Sequence, residues 1–85
     1  AARLEAWPNP FNPAVTLAIE LPAAGPLTVQ VFDALGRWVA TLAEGVQPAG
    51  RREFVWQSAD LPSGLYFARA QTAAGTSSAR LVLLK

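Results

Sequence analysis

The chain has 85 residues, 52% of them apolar, and contains no cysteine, histidine or methionine. A net charge of +1 with 15% charged residues gives no electrostatic footprint for nucleic acid, and no apolar run approaches the ~20 residues of a membrane-spanning helix. One domain covering residues 1–85 is expected at this length, held together by packing because no disulfide is available. Low charge and many strand formers argue against disorder. The missing initiator methionine suggests a fragment of a larger protein whose secretory signal, if it has one, lies upstream. Absence of cysteine fits an extracellular or a cytosolic location equally.

Arg3–Trp7 reads as a short opening strand. Then comes "WPNPFNP" at Trp7–Pro13, three prolines in seven residues. Each proline pushes the residue before it towards extended geometry, so the segment reads as a stiff crossover closing one end of the fold. Phe11 is expected to plug the core there, and the asparagines to bond nearby backbone. A proline-rich recognition motif is the competing reading. Val15, Leu17, Ile19 and Leu21 alternate with less apolar residues, the pattern of a half-buried strand. Pro22–Pro26 breaks it as a loop, and Leu27, Val29 and Val31 resume the alternation.

"DALGR" at Asp33–Arg37 reads as a tight turn, with Asp33 opening it and Gly36 free to adopt positive φ. Trp38–Leu42 would return antiparallel. This stretch is also the one helix-like window, but Gly36 inside it and the β-branched residues after it favour strand. "EGVQPAG" at Glu44–Gly50 is expected to be a loop, followed by a strand at Arg51–Gln57 with Phe54 and Trp56 on one face. "SADLPSG" at Ser58–Gly64 turns the chain into Gly64–Thr72. "AAGTS" at Ala73–Ser77 is a short loop into Ser78–Leu84. Seven strands at spacings of roughly 8–12 residues predict an all-β, antiparallel, Ig-like β-sandwich.

Groups that would do chemistry are sparse. Without histidine or cysteine, the usual nucleophile–base pairs and most transition-metal ligand sets cannot be built. Six acids, Glu5, Glu20, Asp33, Glu44, Glu53 and Asp60, are scattered singly. No glycine-rich loop leads from a strand into a helix, so a nucleotide phosphate site is not expected. The expectation is a protein that is not an enzyme, with no catalytic residues, no metal and no cofactor. Arg51-Arg52, the one basic pair, reads as a solvated strand start. Trp7, Trp38, Trp56, Tyr66 and Phe67 would suit a sugar-stacking platform, but Trp56 reads as core. Trp38, just after a turn and opposite in parity to Val39, is the candidate for a surface contact.

Four stretches, "WPNPFNPAVTLAIELP", "VFDALGRWVATL", "LPSGLYFARA" and the closing "RLVLLK", together resemble the type A C-terminal sorting domain of the type IX secretion system. The resemblance spans essentially the whole chain. Trp7 stands where tyrosine is common, Trp38 where a charged residue is usual, and Arg80 where lysine is common. The resemblance implies a signal carried at the C-terminus of secreted Bacteroidota proteins. It is read by the outer-membrane translocon after the upstream cargo folds in the periplasm. A surface sortase then removes it, releasing the cargo or anchoring it at the cell surface. It also implies that Arg80, Leu81, Val82, Leu83, Leu84 and Lys85 carry the signal, with Gly36, Arg37 and Gly64 as lesser sites.

The last strand is apolar on both faces, Leu81 and Leu83 on one and Val82 and Leu84 on the other. At a sheet edge, its unpaired backbone would be a template for strand addition by a partner, or for a weak homodimer. The expected mechanism is therefore edge pairing supported by Val82 and Leu84; a strand that simply completes the core is the bland reading. Two other functions compete. One is an Ig-like assembly module, similar to that of flagellar hook-capping proteins, which would not depend on the last residues. The other is a carbohydrate-binding module, in which sugars would quench tryptophan fluorescence.

Overall fold

Seven strands form where the alternation of apolar and polar residues places them, in a computed structural model that describes residues 3–58 and 60–85. They are β1 (Leu4–Trp7), β2 (Ala14–Leu21), β3 (Gly25–Asp33), β4 (Trp38–Gln47), β5 (Gly50–Gln57), β6 (Gly64–Thr72) and β7 (Gly75–Leu83). Ala1, Ala2 and Ala59 lie outside the described residues, Ala59 within the expected Ser58–Gly64 turn. One sheet has the order β1-β2-β5 and the other β4-β3-β6-β7, with every pairing between neighbours antiparallel. The expected seven-stranded sandwich is therefore the observed one.

Inward-facing residues of the two sheets supply the core: Val15, Leu17 and Ile19 from β2, Leu27, Val29 and Val31 from β3, Leu81 and Leu83 from β7. The "FDALGRWVATLAE" window is strand, turn and strand, not helix. Gly36 has φ +82°, a conformation that other residues enter only under strain.

Several strand boundaries differ from the sequence reading. β4 runs on to Gln47 because Gly45, Val46 and Gln47 pair with Leu27, Pro26 and Gly25, all but Leu27 being residues read as loop. Pro26 is tolerated because β3 meets β6 only from Leu27 onward, so that stretch is paired on one side. The β6–β7 turn is only Ala73-Ala74, with Gly75 already paired to Thr72, and β7 ends at Leu83 so that Leu84 lies beyond it.

Candidate functional site

The terminal strand lies at a sheet edge, and that edge is closed. Residues alternate along β7 in where their backbone groups point, and those of Arg80, Val82 and Leu84 point away from β6. The Asn9 amide donates through Nδ2 to Arg80 O at 2.7 Å, and its Oδ1 accepts from Val82 N at 2.9 Å. Phe11 then pairs in parallel with Leu83: its N–H donates to Val82 O at 2.8 Å, and its carbonyl accepts from Leu84 N at 3.1 Å. The proline-rich segment thus stands where an eighth strand would. Edge pairing by a partner at Arg80–Leu84 is excluded while this segment is in place, which corrects the expected mechanism. The same closure removes these residues as a template for a second copy.

Phe11 anchors the segment. Its side chain is 2% exposed and packs on Trp56 at 5.7 Å between ring centroids, with Trp56 on Tyr66 at 5.6 Å. These apolar contacts hold the backbone that closes the edge. Asn9, by contrast, acts only through its amide. Asn9→Ala is expected to cost about 1–2 kcal/mol, two modest hydrogen bonds at an exposed site. Hydrogen exchange at the Val82 amide should accelerate, while the Ala70 amide, in the middle of β6, keeps its protection. Unchanged exchange at Val82 would show that the Asn9 contact carries no weight.

The Asp33–Arg37 turn sits at the same end of the molecule. Asp33 Oδ1 accepts from the N–H groups of Leu35 and Arg37, both at 2.9 Å, and Oδ2 accepts from Arg37 Nε at 2.8 Å. Gly36 N–H donates to Asp33 O at 2.9 Å. The Arg37 N–H, followed by its guanidinium and the Leu35 N–H, holds the Asp33 carboxyl below its ordinary value of 3.8, against a smaller opposing effect of desolvation. A depressed folded-state pKa contributes stability that is complete above the unfolded value and is lost as pH falls through the folded one. Acidification from roughly pH 5 to pH 2 should therefore lower the melting temperature of Asp33→Asn less than that of the wild type. Equal losses would mean that the turn's carboxylate is not coupled to folding.

Gly64 begins β6 opposite Leu83, and Ser63 before it accepts the Lys85 N–H on Oγ at 2.9 Å. Tyr66 donates its hydroxyl to Pro62 O at 2.8 Å, fixing the corner that brings Ser63 to the terminus. The register Asp33–Tyr66–Leu81 runs across three strands. It places the Asp33–Arg37 turn, the Leu61–Gly64 corner, the proline-rich segment and the terminal residues at one end of the sandwich. Stretches far apart in sequence converge there.

Individual site residues fall into three groups. Leu81 and Leu83 are fully buried and face the core. Gly64 and Gly36 set backbone geometry. Arg80, Arg37 and Lys85 are exposed, Val82 is half-buried, Leu84 is 56% exposed and Trp38 61%. The aromatic residues do not form one platform. Trp56 and Tyr66 are core, Trp7 lies on the three-stranded sheet under the Arg51 guanidinium, and Trp38 and Phe67 lie on the other sheet. Among the described residues no group of acids is placed to hold a metal ion.

Asn9 and Ser63 were not legible as site residues. Their partners lie 71 and 73 positions away for Asn9 and 22 for Ser63. A local reading of asparagine and serine finds only turn chemistry.

A family described as a secretion system C-terminal sorting domain matches residues 5–84. No curated protein matches the sequence. Among solved structures, the chain is similar to dimeric latent PorU from Porphyromonas gingivalis, with 17% identity and a TM-score of 0.76. That likeness covers 99% of this chain and 9% of PorU, so the chain spans a small part of that protein's length. It is also similar to CopC from Methylosinus trichosporium OB3b (15% identity, TM-score 0.54, covering 98% and 93%). A third is the CARDB domain of a Pyrococcus furiosus protein, solved with di-metal ions (9% identity, TM-score 0.60, covering 99% and 86%). At these identities the structural likenesses speak to fold alone.

Proposed function

The chain belongs to the secretion system C-terminal sorting domain family, and we propose that it is read as a folded unit through the exposed groups at its terminal end. It is the C-terminal export signal of the type IX system, which implies contact with the secretion machinery and an upstream cargo carried out across the outer membrane. The observation that carries the finer reading is the convergence of the four family stretches. The proline-rich segment and Ser63 hold Arg80–Lys85 in place, and the Asp33–Arg37 turn lies at the same end of the sandwich.

In this reading the domain does no chemistry of its own. The outer-membrane translocon recognises it after transit through the periplasm, and a surface sortase then cuts upstream of it. Recognition runs through the side chains of Arg80, Val82, Leu84 and Lys85, not through a free backbone edge. Leu81 and Leu83 contribute by packing the strand that displays them. Self-association through the terminal edge is not part of this reading, because that edge is closed within the monomer.

The test is a reporter carrying a secretory signal and this domain, expressed in a host with the type IX system and in the same host without it. Reporter should reach the surface or medium only in the first, and the exported product should have lost the mass of the domain. Export independent of the system would sink the sorting reading. Export of an uncut fusion would remove the sortase step alone.

A further inference from the structure

The outer face of the four-stranded sheet is sorted by row. Cross-strand registers place Trp38, Phe32, Phe67 and Arg80 in one line from β4 to β7, and Leu65 beside Val82 in the line nearer the terminus. At ~4.8 Å between strands, the first line is about 14 Å long. Trp38 is 61% exposed, and Phe67 and Leu65 are each exposed by over a third. The row of Glu44, Thr28, Gln71 and Thr76 is entirely polar, and beyond it Pro26 pairs with the exposed Val46 on the same face. An outward sheet face is ordinarily polar along its whole length. Here its aromatic residues are confined to the half where the terminal signal sits.

Charge follows the same division. Between the polar row and the aromatic one, Thr41, Gln30, Arg69 and Ser78 form a row without a carboxylate. Arg69 lays its guanidinium over the Phe32 ring at 4.6 Å, yet its Nε is buried and has no hydrogen-bond partner. The carboxylate of Asp33 is already held by Arg37. Two arginines, Arg69 and Arg80, therefore border an apolar band that carries no acid.

We propose that this band is a docking face for a protein partner of the export machinery that presents apolar side chains with carboxylates placed to meet Arg69 and Arg80. The proposal rests on the sorting reading and extends it: the outward side chains of Arg80 and Val82 are the last column of a face that crosses the whole sheet. Aromatic residues and arginine are the side chains that dominate protein interfaces. A second copy of this chain is a poor occupant, since the same face of a partner copy carries no carboxylate to meet Arg69 or Arg80. A saccharide is poorer still. Trp38 Nε1 and Gln30 Nε2 both donate to Thr41 Oγ1, at 3.0 and 3.3 Å, so the indole and amide donors beside the rings are already engaged and not offered to sugar hydroxyls.

The test uses the whole domain in the export fusion, with Trp38→Ser and Arg80→Glu made separately and together, and Glu44→Lys as a charge change in the polar row. Melting temperature and sedimentation are measured on each purified domain. Exported reporter should fall by about tenfold or more for the double variant, as for loss of interface hot spots. Its melting temperature should stay near wild type, and Glu44→Lys should export normally. Undiminished export of the double variant beside an exported wild type would overturn this proposal and remove Arg80 from the recognised residues, leaving the role as an export signal standing. If the intact fusion itself stays inside the cell, both fall. A wild-type dimer that the Trp38 variant dissolves without loss of export would assign the face to a second copy. Quenching of wild-type but not Trp38→Ser fluorescence by purified outer-membrane polysaccharide, again without loss of export, would assign it to a glycan; either result contradicts the proposal.

Discussion

Phe11→Ala is expected to destabilise the domain by about 3–5 kcal/mol, the usual cost of emptying a buried phenylalanine site. Native domains are stable by only about 5–15 kcal/mol, so this one change would remove much of the total. The reason is structural as well as volumetric. The Phe11 ring packs on Trp56, which packs on Tyr66, while its backbone N–H and carbonyl close the edge of β7. Emptying the ring site loosens both. Urea unfolding should show a lower midpoint, and the Leu84 amide, bonded to the Phe11 carbonyl, should exchange faster. A loss below about 1 kcal/mol would mean that the proline-rich segment is not anchored by its phenylalanine.

Leu83→Ala and Leu84→Ala should differ sharply although the residues are neighbours. Leu83 is fully buried, pairs with Gly64 and faces the core, so its truncation should cost about 2–5 kcal/mol. Leu84 lies beyond the strand and is more than half exposed, so its truncation should stay within about 0.5 kcal/mol. Export should fall for both, for different reasons: Leu83→Ala by unfolding the display, Leu84→Ala by removing part of what is displayed. Thermal melts beside export assays separate the two. Equal melting temperatures would mean that β7 does not pack as described.

Much of the fold was legible because sheet structure rests on a period of two. Val15–Leu21, Leu27–Val31 and Arg51–Gln57 declare their buried faces by alternation alone, and Gly36 and Asp33 declare their turn by conformational preference and side-chain bonding. Where the reading missed, pairing outweighed local preference. Pro26 and Gly45 look like loop residues, yet both are drawn into the β3–β4 ladder because the strands beside them continue. The site was legible in its members but not in its mechanism. A hydrophobic terminal strand at a sheet edge suggested an open template. What closes it is the amide of Asn9 and the backbone of Phe11, and nothing local to residues 9–11 says that their partners lie some seventy positions on. Trp38 was legible only as a candidate for a surface contact, and its row with Phe32, Phe67 and Arg80 follows from registers that only the fold supplies.

The central claim is that the folded domain displays its terminal residues for recognition while the rest of the last strand packs. Deleting Arg80–Lys85 would not test it cleanly, because Leu81 and Leu83 would go from the core. The direct measurement is export of a fusion lacking only Leu84 and Lys85, with the melting temperature of the purified domain beside it. The account predicts a domain that still melts cooperatively within a few degrees of wild type and a reporter that stays inside the cell. A folded, shortened domain that is exported as well as the intact one would contradict it.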